Sequence, residues 1–137
     1  MKGLQRATKG NTIQVTSAML ANASLADQCF FIANRPYQIV GIRQVHSVAG
    51  SDGGAVNLQV TKDTGTAAPG AGTDLLTNNS NAGFNLKGTA NTVQAGALTA
   101  TAAALKLAPG DRLSVDFAGT LTAVAGVVVT VELRPIK

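Results

Sequence analysis

Tryptophan is absent from this sequence, and only 4% of its residues are aromatic. Single-stranded nucleic acids are held in grooves that interleave basic residues with stacking aromatics, and sugar platforms usually present exposed Trp or Tyr. Phe30, Phe31, Phe84 and Phe117 lie in apolar surroundings and read as core, so Tyr37 alone is left for a surface. No nucleic-acid partner is expected, and a sugar site would have to be built from polar loops. Histidine is equally scarce. His46 stands alone, which excludes a His-rich metal site or a relay through two imidazoles, and no G-x-S-x-G elbow exists to draw it into a Ser-His-Asp triad. It reads as an ordinary polar residue near a strand end. Six Asp and one Glu are scattered singly, with neither a calcium-loop pattern nor Cys/His ligand spacing. The expectation is therefore no catalytic residue, no metal and no cofactor.

Asp63 and Asp74 are the best available carboxylate pair, flanking one loop as a glycosidase pair flanks a cleft. Asp63-Thr64-Gly65 and Thr73-Asp74 are, however, turn-forming sequences whose side chains are expected to bond local backbone amides. The loop from Gly65 to Gly72 lacks the Lys-Ser/Thr ending of a phosphate loop and opens no helix. Cys29 is the single cysteine, so no intrachain disulfide forms. Within the run Cys29-Phe30-Phe31-Ile32 it is expected to be a small buried thiol.

Charge is the other shortage. Charged residues make up 13% of the chain, about half the usual globular share, so Thr, Ser, Asn and Gln must supply much of the surface polarity. Such a surface suits contact with other protein. The net charge is +4, and Lys2, Arg6 and Lys9 all precede the first acidic residue, Asp27. The basic character thus belongs to an arm rather than a face. Residues 1–11 are read as an extended arm and 12–137 as a single domain, a length sufficient for a hydrophobic core. Lys2, Arg6 and Lys9 are the candidate partner-binding residues, suited to an acidic protein surface. No stretch approaches the ~20 apolar residues of a membrane span, and the opening residues lack the apolar core of a leader. A soluble chain made in the cytoplasm, with no membrane partner, is expected.

What is present is alternation. Ile13 and Val15 alternate with Gln14 and Thr16; Val56, Leu58 and Val60 with Asn57, Gln59 and Thr61; Leu113, Val115 and Phe117 with Arg112, Ser114 and Asp116; Val127, Val129, Val131 and Leu133 with Val128, Thr130, Glu132 and Arg134. Period two places each apolar set on one face of a strand. The denser run 28–34 predicts a strand buried on both faces. From Tyr37 to Val48 the apolar parity changes near Gly41, which predicts a bulge or bend. Residues 50–54 and Pro109-Gly110-Asp111 are turns, 63–73 is a loop, and Leu75-Leu76, Phe84 and Leu86 mark short strands. Ala97 to Ala108 is read as loop plus a short strand, with a helical turn as the alternative. About eight short strands between turn signals predict an all-β antiparallel sandwich, jelly-roll-like.

Three stretches carry a resemblance: Val60 to Leu76 (VTKDTGTAAPGAGTDLL), Phe84 to Gly88 (FNLKG) and Leu107 to Phe117 (LAPGDRLSVDF). They resemble the jelly-roll capsid cement, or decoration, proteins of tailed bacteriophages, the Bordetella phage type among them, over roughly residues 30–134. The resemblance implies a structural virion protein on the outer surface of the capsid. There it would cement neighbouring major capsid protein subunits and stabilise the head against internal DNA pressure. The matching motifs are turns and strands, so no binding residue carries over. Expected partners are the major capsid protein and further copies of the chain, a dimer before a trimer. The alternatives are a tail, baseplate or fibre-associated sandwich, or a carbohydrate- or host-surface-binding module.

Overall fold

Where β-branched and apolar residues alternate with polar ones, the chain is extended and paired. A computed structural model describes residues 11–137, side chains of 80 and 81 excepted. Its strands are β1 (Ile13–Met19), β2 (Gln28–Ile32), β3 (Tyr37–Val45), β4 (Asn57–Asp63), β5 (Thr73–Asp74), β6 (Phe84–Asn85), β7 (Gln94–Ala95), β8 (Lys106–Leu107), β9 (Arg112–Ala118) and β10 (Val127–Pro135). They form two antiparallel sheets. The first has the order β1-β10-β3, with β7 and β8 both on the far side of β3; the second has the order β2-β9-β4, with β5 and β6 both on the far side of β4.

Ten strands therefore occupy eight positions, because the outermost position of each sheet is broken into two short pieces. The chain passes between the sheets at each step from β1 to β4, and again from β6 to β7 and from β8 to β10. This wrapping is that of a jelly-roll-like sandwich, and the expected architecture is the one observed.

The core lies between the sheets. Val127, Val129, Val131 and Leu133 of β10 are fully buried and face Val56, Leu58, Val60, Leu113 and Val115 from the second sheet, with Phe84 and Leu86 beside them. Each such side chain contributes roughly 1.5–3 kcal/mol on burial. The parity change at Gly41 is a bulge: Glu132 pairs with Gly41 and Leu133 with Ile39, so Val40 is the extra residue. Tyr37 and Ile39 point inward before it, Ile42 and Gln44 after it.

Three expectations of burial are corrected. Tyr37, the aromatic left for a surface, is buried in the core with its hydroxyl donating to Asn34 Oδ1 (2.9 Å). The run at β2 is not buried on both faces. β2 is an edge strand beside β9, Ile32 is 66% exposed, and Cys29 is half-buried. A dense apolar run has the same appearance at the edge of a sheet as at its centre, and a register shift between Cys29 and Phe31 breaks the face assignment locally. β4, conversely, is not one-sided: Asn57, Gln59, Thr61 and Asp63 are buried along with the apolar residues between them. Between Ala97 and Ala108 both readings hold in succession, a 3-10 turn at Ala102–Leu105 followed by β8.

Candidate interaction surface

On the outward side of the second sheet the chain covers the Asp63 end of β4, while a recess of about 450 Å³ lined by Gly53, Ala55, Asn57, Asn79, Asn85 and Lys87 lies at the other end. Asp63, at the end of β4, accepts bonds from the amides of Gly70 (3.3 Å) and Gly72 (2.9 Å), from Thr61 Oγ1 (2.9 Å) and from Ser114 Oγ. Arg112 donates to the carbonyls of Gly65 (3.1 Å) and Ala67 (3.0 Å). The loop 64–72 is thereby tied down over β4 and β9. Its approach is close enough that a Cβ on Gly72 would overlap the Lys62 carbonyl, while Gly70, at φ +84°, sits against Asp116. Gln59 extends the closure: its amide donates to Leu76 O (3.1 Å) and its oxygen accepts from Leu76 N (2.9 Å).

These bonds give Asp63 a structural role, as read from the sequence, but they hold the far end of the loop and β9 and not the adjacent turn. Asp74 pairs in register with Thr61 across β4 and β5 and remains exposed. Desolvation raises its carboxyl above the ordinary range. The same holds for Asp116, where desolvation comes first and repulsion from Asp27, Asp74 and Asp63 adds to it. Among the described residues, no three His, Cys, Asp or Glu side chains gather in a group that could hold a metal.

His46 is wholly buried. Its Nε2 donates to Gly88 O (2.9 Å), an acceptor only, so Nδ1 is the nitrogen that accepts from Gln44 Nε2 (3.0 Å). The imidazole thus ties the end of β3 to the segment after β6.

The outward side of the first sheet is open. Register places Thr16, Thr130, Arg43 and Ala95 in one row across β1, β10, β3 and β7, and Ala18, Val128 and Val45 in the next. Thr16 and Thr130 hydroxyls bond at 3.2 Å. Val93, 63% exposed, rises at one side, and together with Gln14, Arg43, Val45, Val128 and Thr130 it lines a shallow recess of about 240 Å³. Arg43 and Glu132 form an ion pair at 3.8 Å. The two rows otherwise carry small, uncharged side chains, as expected from a chain poor in charge.

Lys2, Arg6 and Lys9 lie outside the described residues. The face on β1, β3 and β10 was missed by the sequence reading, although its signal was present: Val128 stands in phase with Thr130 and Glu132, an apolar residue on the polar side of β10. No protein-family model, curated protein or solved structure matches this chain. No helix among the described residues is long and apolar enough to cross a membrane.

Proposed function

We propose that this chain is a non-catalytic structural protein that decorates the capsid of a tailed bacteriophage, binding the major capsid protein through the outward face of its first sheet and cementing neighbouring subunits. The observation that carries this reading is the open face itself: two rows of Thr, Ala and Val with Val93 above them and one paired charge. Protein interfaces are depleted of charge at their centres and need shape-matched, desolvated contact. The jelly-roll-like wrapping and the resemblance of the stretches around β4, β6 and β9 to cement proteins agree with it. Lys2, Arg6 and Lys9 would add an electrostatic contact to an acidic shell, and the chain would reach the outside of the head as a homo-oligomer.

The test has two arms. Copy number in purified particles separates a cement protein, at hundreds per virion, from a tail, baseplate or fibre component, at a few to tens. Co-sedimentation with purified heads across a salt series then compares the full chain with a chain lacking residues 1–10. The truncated chain should bind more weakly and with less salt sensitivity, since exposed charges are screened beyond about 8 Å at physiological ionic strength. Identical curves would confine attachment to the sandwich. Failure to sediment with heads, together with binding on a glycan array, would replace this reading by the carbohydrate-binding one.

A further inference from the structure

The two sheets have four lateral edges, and three of them are interrupted. The β7/β8 edge and the β5/β6 edge each consist of two separate two-residue pieces. The β2 edge carries a register shift between Cys29 and Phe31. β1 differs. It runs for seven residues, IQVTSAM, with no charge, proline or glycine, and pairs with β10 from Ile13 to Met19 without a register shift. Soluble proteins blunt such edges with charge, proline or bulges, because an unbroken row of free amides and carbonyls recruits another strand. Among the described residues, β10 is the one strand that pairs with β1.

We propose that β1 is a dimerisation strand, pairing antiparallel with β1 of a second copy about a twofold axis at Thr16. The strand is self-complementary about that point. Ile13 falls opposite Met19 of the second copy, Val15 opposite Ser17, Gln14 opposite Ala18, and Thr16 opposite itself. Ile13, Val15, Ser17 and Met19 share the inward side of β1, so apolar and small side chains continue the core row across the seam. On the outward side the bonded pair Thr130 and Thr16 meets its own image. Four threonines then stand in a row, a cross-strand pairing that favours sheets.

Among the described residues, no like charges meet at the seam. Arg43 lies two strands back, and Glu132, one strand back, is occupied by Arg43. A twofold interface uses the same patch twice, which an uncharged strand with this symmetry of side chains satisfies without a separate partner sequence. The two open faces would join into one face eight strand positions wide. This inference names the contact between copies and stands whether or not the capsid reading holds, because it is tested on the isolated protein.

The experiment is sedimentation velocity of the full chain over a concentration series, with Thr16→Lys and Thr16→Glu made separately. The wild type should be a dimer. Each variant should weaken it about tenfold or more, since like charges directly opposed across strands destabilise pairing. An equimolar mixture of the two should recover a heterodimer, as opposite charges then face each other. Thr16 is exposed, so the circular dichroism and melting of each variant should match the wild type and show that the fold is retained. A wild type that is monomeric up to its solubility limit, a trimer, a dimer indifferent to both charges, or a mixture that stays monomeric would each overturn the proposal.

Discussion

On the second sheet, the outward residues of β4 are Asn57, Gln59, Thr61 and Asp63, all polar and all buried; the loop 64–72 folds back over the Asp63 end, and Gln59 is bonded to the backbone of Leu76. On the first sheet, the corresponding residues of β10 are Val128, Thr130 and Glu132, and they stay half-exposed. The polar exterior of β4 is thus covered at its Asp63 end, with a recess of about 450 Å³ left at Asn57, whereas the more apolar exterior of β10 is left open along its length. Simple burial of apolar surface would give the reverse arrangement. The polar residues under the loop do local work, satisfying backbone amides that would otherwise be lost from water. The open face has no such local duty, which is why the proposed partner contact is placed there.

The sharpest way to break this contrast is to move one charge across the thickness of β10. Val129→Asp places a carboxylate among fully buried side chains and should cost several kcal/mol, comparable to the roughly 5–15 kcal/mol stability of a whole domain. Urea titration should find the variant largely unfolded. Val128→Asp, one residue away on the open face, should stay within about 0.5 kcal/mol of wild type while reducing head binding in co-sedimentation. Equal damage to folding by the two would mean that the first sheet is not open.

A smaller effect compares the two exteriors directly. Asp63→Ala leaves the amides of Gly70 and Gly72 and the hydroxyls of Thr61 and Ser114 without their acceptor. At about 1–3 kcal/mol for each group stranded from water, a loss of roughly 3 kcal/mol or more is expected. Hydrogen exchange should show the amides of Gly70 and Gly72 opening first. Thr130→Ala on the open sheet removes one exposed hydroxyl pair and should cost less than about 0.5 kcal/mol by the same urea assay.

The smallest effect is a pH dependence beside the loop 64–72. The Asp116 carboxyl has a folded pKa above its ordinary value of 3.8. Its contribution to stability is fully present below that ordinary value and is lost as pH rises through the folded pKa. Asp116→Asn should therefore melt higher than wild type at neutral pH, and the gap should close as pH falls below 3.8. A gap that widens in acid would show that the carboxylate is held by favourable contacts instead.

Much of the architecture was legible because alternation is a local property. A strand's period of two shows in five or six residues, and Val127 to Leu133, Leu113 to Phe117 and the parity change at Gly41 all took the faces their pattern predicts. Asp63 was legible as a structural, turn-forming residue, but its bonds to the amides of Gly70 and Gly72 and to Ser114 reach beyond the Asp-Thr-Gly segment that signals it. The sequence by itself thus determined a two-sheet β domain and which side of most strands faces the core. Tertiary structure alone decided which strands lie at edges and which exteriors are covered. Cys29 to Ile32 is apolar enough for a central strand yet has a neighbour on one side only, and Asn57 to Asp63 reads as half-exposed yet is buried, its Asp63 end beneath a loop that begins where the strand ends. Strand order and loop placement depend on contacts between residues far apart in the chain, such as Asp63 with Ser114 or Ile13 with Leu133, and no local period encodes them.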